Sequence, residues 1–362
     1  MNRSSKANNM EMLKVALMGY GYAGKTFHAP LIDSVPGMEL VAVCSSDAAK
    51  VFADYPSLPV RASLEELLSL DQIDIVVIAT PNNTHFELAS SALLAGKHVV
   101  VDKPFTVTVE QALELKDLAE QKGLMLSVFH NRRWDADFLT LREVIVSGKL
   151  GDLVSFESRF ERYRPEVKTR WREQAGEGSG LWYDLGPHLL DQALHLFGCP
   201  IAIHADFAMQ RKNAQAVDYF HVLLRYEKLR VILQSSMLAA DEIPRYLLRG
   251  YAGSYKKYGL DTQEESLKRG ELPGGNTWGY DPLNGILHTP TNPTSTSSIV
   301  QNLRGDYRYF YTAFRDAIQI NTLNPVSLED AVLSIVLIEL ACESAKSGCE
   351  TIVPARYTSS HF

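Results

Sequence analysis

Cysteine is scarce in this 362-residue chain: Cys44, Cys199, Cys342 and Cys349 are too few for a disulfide framework, and none sit in CxxC spacing. They read as reduced thiols, so a cytoplasmic location is expected. Positive charge is not in excess. Lys plus Arg number 36 against 43 Asp plus Glu, a formal net charge of −7. No basic run dominates, which argues against nucleic acid or an anionic membrane surface as partner. Long apolar runs are missing too. "LSIVLIELA" is interrupted by Glu339, so no membrane span is expected. The opening "MNRSSKANNMEM" has no apolar signal segment and reads as a polar, disordered lead-in. There is no HExxH and no Cys/His cluster, so no metal site is expected from motif alone.

What is present is an ordinary globular composition, 46% hydrophobic and 22% charged, over a length that suggests two domains. From Leu13 to Asn131 short apolar runs alternate with helical patterns. The runs are "KVALM" (14–18), "ELVAVC" (39–44), "IDIVVIAT" (73–80), "HVVVD" (98–102) and "LMLSVFH" (124–130). They are rich in Val, Ile and Leu without strict alternation, as strands covered on both faces should be. "SLEE" at Ser63–Glu66 and "TVEQ" at Thr108–Gln111 read as capping boxes, with Gly96 and Gly123 where helices end. Such β–α repetition implies a doubly wound parallel sheet. Past residue 150, "LVSFESRFERY" (153–163) and "YFHVLLRYEKLRVILQSS" (219–236, with a turn at Glu227–Lys228) alternate in polarity. They predict antiparallel strands with one buried face. Residues 261–306 read as loop-heavy, and 327–347 as an amphipathic helix. The fold class is therefore α/β followed by α+β. Residues 1–131 form a dinucleotide-binding domain, and 132–362 form a domain with a mostly antiparallel open sheet and flanking helices.

"GYGYAG" places Gly19, Gly21 and Gly24 in GxGxxG spacing after the first strand and before a helix. That context makes it a Rossmann dinucleotide fingerprint: a tight turn, close backbone approach to a pyrophosphate, and helix–strand contact. At the end of the second strand stand Ser45 and Ser46, then Asp47, with Lys50 one turn on. Hydroxyls beside an ammonium suit the 2′-phosphate of NADP. The competing reading has Ser46 capping a helix and Asp47 taking the ribose of NAD. Thr80, Pro81 and Asn82 leave the third run at its carboxyl end and are candidates for the nicotinamide side, or simply a turn.

In "GLWYDLGPHLLDQALHLFG" (180–198), Asp184, His188, Asp191 and His195 share one helix stripe opposite an apolar face. A solvated face, a metal site built on Asp184, His188 and His195, and acid–base groups aimed at a ligand all fit that spacing. Gly186 and Pro187 resemble a first turn, which would make Asp184 a cap. With Lys103 on the rim of the sheet and the glycine fingerprint, acid–base chemistry is the reading carried forward, and the stripe is taken as an active-site wall. Asp191 has helix-surface salt bridging as its alternative. "RYRPEVKTRWRE" (162–173) gathers five cations around Tyr163 and Trp171. It suits a sugar ring or an anionic substrate, and equally a loop or subunit contact.

"GYGYAG", "VDKP" and "YDLGPHLLD" together resemble the Gfo/Idh/MocA family over nearly the whole chain. "VFHNRRWDADFLT", "YRPEVKTRWRE" and "YDLGPHLLDQALHLFG" are most similar to its NADP-dependent scyllo-inositol dehydrogenases. The resemblance implies a Rossmann domain, then a substrate domain whose sheet often makes subunit contacts, hence a homo-oligomer (dimer or tetramer). It implies hydride exchange between NADP, or NAD, and a secondary alcohol of a small-molecule cyclitol or sugar. The family's lysine falls on Lys103, and its Asp–His pair on Asp184 and His188. Asn131 and Arg132 match a stretch near the nicotinamide. Asp102 stands where Glu is usual, and a cis Lys103–Pro104 peptide is implied. The alternatives are an aldose or anhydro-sugar reductase, and a dinucleotide-binding sensor without turnover.

Overall fold

The computed structural model describes residues 11–358 apart from Asp71, Asn292 and Pro293; the polar lead-in, save its last two residues, lies outside the described residues. The first half is a six-stranded sheet of β1 (Leu13–Met18), β2 (Met38–Cys44), β3 (Val60–Arg61), β4 (Ile75–Ile78), β5 (His98–Val101) and β6 (Leu126–Val128). Its order is β3-β2-β1-β4-β5-β6, and every pair is parallel. The helices between strands are α1 (Ala29–Asp33), α2 (Ala48–Asp54), α3 (Leu64–Leu68), α4 (His85–Leu94) and α5 (Val109–Lys122). All four residues of β4 are fully buried, which is why its run shows no alternation. The runs at 73–80 and 124–130 extend beyond the strands they contain at both ends. β3 has two residues, too short to leave a pattern. The capping expectations hold: Ser63 accepts from the Glu66 N–H, Thr108 from the Gln111 N–H, and Gly123 ends α5 in the left-handed conformation.

The second half is a nine-stranded sheet of β7 (Leu153–Arg159), β8 (Ala202–Ala208), β9 (Tyr219–Arg225), β10 (Arg230–Ser236), β11 (Tyr246–Gly250), β12 (Gly253–Lys257), β13 (Gly285–Pro290), β14 (Ser295–Val300) and β15 (Thr351–Ile352). β7 and β10 run parallel, and the other pairings are antiparallel. The helices are α6 (Ala136–Val146), α7 (Gly180–Phe197), α8 (Gln263–Lys268), α9 (Arg308–Ile320) and α10 (Leu328–Ser347). Residues 261–306 thus hold more regular structure than expected. β14 is polar and mostly exposed, so it lacks the alternation that marks a half-buried strand. α10 is not amphipathic in its first half. Residues 331–338 are buried without a break, since α5, α7 and β8 all pack on it.

α7 lies on the sheet. Its Trp182 ring meets Phe207 and Phe220 at centroid distances of 5.3 and 5.0 Å, and its indole N–H donates to the Ile338 carbonyl of α10. α9 crosses back to the first half. Tyr311 hydrogen-bonds the buried His28 Nδ1 at 2.6 Å, and Phe310 stacks edge-on against Phe129 at 5.0 Å.

Four imidazoles, His28, His85, His130 and His188, are buried. Burial holds all four below the usual 6.5, His28 at about 4. The unfolded chain takes up these protons near 6.5 and the folded chain does not, so stability falls as pH drops from 6.5 toward 4. His28 alone accounts for roughly 3 kcal/mol over that range. Urea midpoints should therefore be steady above pH 7 and fall steeply below 6.5; a midpoint unchanged down to pH 5 overturns this.

Candidate active site

The glycine loop fits a dinucleotide. Gly19 has φ +101°, and a Cβ there would stand 2.5 Å from the Ala79 carbonyl. A Cβ on Gly24 would stand 2.1 Å from the Gly19 carbonyl, so the turn can close only with glycine at both ends. Over Gly21 nothing lies within 4 Å, which leaves room for a phosphate against bare backbone. The helix that follows opens as a five-residue π turn, Gly24–His28. At the end of β2, Ser45 Oγ accepts from the Asp47 N–H at 3.1 Å, while Ser46 and Lys50 are exposed. The cap of α2 is Asp47, through the Lys50 N–H, and not Ser46. At the end of β4, Thr80 Oγ1 pairs with Thr84, and Pro81 is exposed. Asn82 is buried and turned away, donating to the Gly178 carbonyl at 2.9 Å. Its side-chain amide ties the two halves together.

A cavity of about 420 Å³ opens between the glycine loop and α7. Tyr22, Ala23 and Phe27 line one side; Lys103, Asp184 and His188 line the other. Lys103 lies two residues beyond β5, one strand in from the sheet edge, and its peptide to Pro104 is cis. Its Nζ donates to the Asp184 carbonyl at 2.6 Å and sits 3.2 Å from Asp184 Oδ1. Asp102 Oδ1 accepts from the backbone N–H of Lys103 at 2.9 Å, so the shorter carboxylate holds the lysine by its main chain. Burial lowers the Lys103 pKa from 10.5, with Asp184 opposing and Arg172 adding to the drop. Burial alone would raise Asp184, yet the charges of Lys103, Arg172 and Arg162 keep it well below its usual value. Burial and then the charges of Lys103 and Arg132 hold His188 well below 6.5, so its ring is neutral at pH 7. Its Nδ1 is buried without a partner.

α7 begins at Gly180, not near Asp184, so Asp184 is not a helix cap and Pro187 lies inside the helix. Proline has no N–H for the Tyr183 carbonyl, and the next carbonyl, that of Asp184, is the one Lys103 binds. The expected stripe splits into two. Asp184 and His188 face the cavity. Asp191, two turns on, is buried in a bidentate pair with Arg133, at 2.6 to 3.1 Å. His195 rests near the Phe138 ring, at 6.1 Å. Asp184, His188 and His195 therefore do not converge on a metal position. Asp191 is a scaffold residue: it is buried outside the cavity lining, with both carboxylate oxygens bound by one guanidinium fork.

Asn131 and Arg132 line the cavity as expected. Arg132 donates to Glu264 of α8 at 2.6 Å, and Tyr22 of the glycine loop donates to the same carboxylate at 2.7 Å. Despite burial, Glu264 is held down at about 2, by Arg132 first and then by Tyr22 and Lys268. Glu264 carried no sequence signal, since it sits in a segment without periodicity. Arg162, Arg164, Arg170, Trp171 and Arg172 also line the cavity, which decides the 162–173 segment as site wall. Tyr163 points away and is 60% exposed.

An open parallel sheet with a glycine-lined turn, facing a basic and imidazole-bearing wall on a second sheet, is the architecture of a two-domain dinucleotide-dependent oxidoreductase. Residues 13–130 match the model of an oxidoreductase family with NAD-binding Rossmann fold, and residues 142–352 match its C-terminal alpha/beta domain. The chain is 53% identical over 334 residues to the uncharacterized oxidoreductase YdgJ of Escherichia coli, covering 92% of this chain and 96% of that one. It is 40% identical over 339 residues to the scyllo-inositol 2-dehydrogenase (NADP(+)) IolW of Bacillus subtilis, covering 93% and 95%. The structure of YPO2259 from Yersinia pestis superposes with a TM-score of 0.92 at 51% identity, covering 95% of this chain and 98% of that one. The chain belongs to the Gfo/Idh/MocA oxidoreductase family. It is a dehydrogenase that acts on CH–OH groups.

Arg133 also reaches Asp330 at 3.0 Å and the Pro325 carbonyl at 3.2 Å. Removing Asp191 strands a buried guanidinium, so Asp191→Ala should cost about 3–5 kcal/mol of stability. Urea unfolding checks this. A loss below about 1 kcal/mol, with turnover abolished in the folded variant, would return Asp191 to the reacting groups.

Proposed function

We propose that this dehydrogenase uses NADP and oxidises or reduces a cyclitol or sugar carbon, with a scyllo-inositol-type alcohol as favoured substrate. Lys103, Asp184 and His188 are the reacting groups. The observation that carries the reading is the Lys103–Asp184 contact at the mouth of the parallel sheet, with His188 one turn further along the same cavity wall. A nicotinamide bound beside these residues would supply the hydride acceptor, or the donor in the reverse direction. The side chains handle the proton. A neutral His188 takes the hydroxyl proton, and the Lys103 ammonium polarises the oxygen and stabilises its developing charge. Asp184 aims the ammonium. Gly19, Gly21 and Gly24 seat the pyrophosphate, Ser45, Ser46 and Lys50 the 2′-phosphate, and Thr80, Pro81, Asn131 and Arg132 border the nicotinamide side. The similarity to IolW, whose name states NADP and scyllo-inositol, supports the choice. The reading extends to a division near residue 131 into dinucleotide and substrate domains, a cytoplasmic location inferred from the sparse cysteines, and a homo-oligomer.

Lys103→Met and His188→Ala should each cut turnover by roughly 10²–10⁴ with little change in NADP affinity. The double variant should lose far less than the product of the two. The pH profile of kcat/KM for alcohol oxidation follows from the lowered pKa values. An acid limb should lie below 6.5, where His188 becomes protonated, and an alkaline limb below 10.5, where Lys103 loses its charge. His188→Ala should erase the acid limb. NADPH absorbance with inositols and aldoses is the readout; tight NADP binding with no reduction by any of them overturns the reading and leaves a sensor.

Ser45→Asp tests the cofactor assignment without dismantling the turn, because a carboxylate can still accept from the Asp47 N–H. It places a negative charge where the 2′-phosphate would lie. The lost charge-assisted bonds are worth roughly 1.5–3 kcal/mol, so NADP preference should fall at least tenfold. A native protein that already prefers NAD sinks the assignment and makes Asp47 the ribose reader.

A further inference from the structure

The cavity holds more positive charge than its carboxylates neutralise. Lys103 is engaged with Asp184; Arg132 and Lys268 share Glu264; Arg170 turns to Glu173. Arg172 comes only to 3.7 Å of an Asp184 oxygen that Lys103 already binds. Among the described residues, the guanidinium groups of Arg162 and Arg164 have no carboxylate and no hydrogen-bond acceptor. In a chain of net charge −7, this concentration is local and specific.

Its position separates it from the dinucleotide's side of the cavity. Tyr22 of the glycine loop is bridged to Glu264 and Arg132. The free cations belong to the segment between β7 and α7, beside Asp184. Asp184 is the foremost carboxylate acting on Arg162, and the neighbouring Arg164 charge opposes it. Two of the guanidinium groups are also held in place, while Arg164 is exposed at the cavity mouth. Arg162 lies over the Phe160 ring at 4.8 Å, and Arg172 over Trp171 at 5.0 Å. A stacked guanidinium presents its N–H fork edge-on at little entropic cost, the geometry that grips an oxyanion through two parallel bonds. Arginines crowded together repel one another, and an anion that enters between them turns that repulsion into attraction. A neutral polyol offers hydroxyls that would satisfy the N–H groups but leave the charge standing.

We propose that the substrate of this dehydrogenase carries an anionic group, a phosphate or a carboxylate, seated by Arg162, Arg164 and Arg172 while its reacting CH–OH faces Lys103 and His188. The proposal rests on the dehydrogenase reading for the reacting end and on the cation cluster for the anionic end. It keeps the reacting groups of that reading but replaces the neutral scyllo-inositol-type alcohol with an acidic or phosphorylated sugar or cyclitol, and so with the product of a sugar kinase or of an aldehyde-oxidising step.

The test compares the full-length protein with NADP on matched substrates: glucose against glucose 6-phosphate and glucuronate, and an inositol against its monophosphate. One anionic class should exceed its neutral parent at least tenfold in kcat/KM, and which class does so separates phosphate from carboxylate. Arg162→Gln and Arg164→Gln should each shrink that ratio at least tenfold, Arg162→Lys should restore part of it, and inorganic phosphate should compete with the sugar. Neutral parents that match or surpass both anionic classes overturn the proposal, as does an equal loss on charged and neutral substrates in the arginine variants. Calorimetric titration of the NADP complex keeps the two readings apart. If no sugar is turned over, the dehydrogenase assignment fails. The anion seat then stands only if the phosphorylated or the acidic sugars still bind at least tenfold tighter than the neutral ones, and falls if neither does.

Discussion

The buried guanidinium of Arg133 is the constraint on which the site depends. It follows the last strand of the parallel sheet and binds Asp191 of α7 with two parallel bonds, Nε to Oδ2 and Nη2 to Oδ1, as well as Asp330 of α10 and the carbonyl of Pro325. Three segments distant in sequence are thereby held at one point. Asp184 lies seven residues before Asp191, two turns along the same helix, so the register that satisfies Arg133 also delivers the Asp184 carbonyl and carboxylate to Lys103. A charge pair this deep adds little net stability over an apolar replacement, yet its geometry is demanding. Its contribution is placement.

The cavity is built from residues on both sides of that joint. Lys103 comes from the rim of the first sheet and His188 from α7, and burial lowers the pKa of both, with the Arg172 charge adding to the drop at Lys103 and the charges of Lys103 and Arg132 adding to it at His188. Glu264 performs the matching role on the opposite rim, where Tyr22 and Arg132 converge on one carboxylate. The reacting groups thus lie between two ionic ties that span the halves of the molecule.

Much of this was legible in the residues. The glycine spacing, the unbroken Val/Ile runs and the alternation at 219–236 each report a local physical requirement, and the fold follows from them. That Lys103, Asp184 and His188 would share one cavity was implied by the family resemblance of "VDKP" and "YDLGPHLLD". Asp191 was left between the site wall and a salt bridge because a helix stripe tells which residues share a face, not what lies opposite. Its partner is Arg133, from a turn near the end of the first half. The partner of Asn82 was hidden for the same reason, since its acceptor is the Gly178 carbonyl. The arginines of 162–173 were seen as a cluster, but irregular loops have no period from which to infer direction. β14 was hidden by its own exposure: a polar edge strand of Ser and Thr looks like a linker.

α9 has a consequence for how the chain is made. It returns to the parallel half, where Tyr311 and Phe310 cover His28 and Phe129, and Arg315 binds the Pro36 carbonyl. Residue 130 leaves the ribosome long before residue 308. At roughly 5–20 residues per second, the interval is on the order of ten to forty seconds. During that time the nascent parallel sheet stands with an aromatic flank open to chaperones. The N-terminal half is first to be synthesised but cannot be first to be complete.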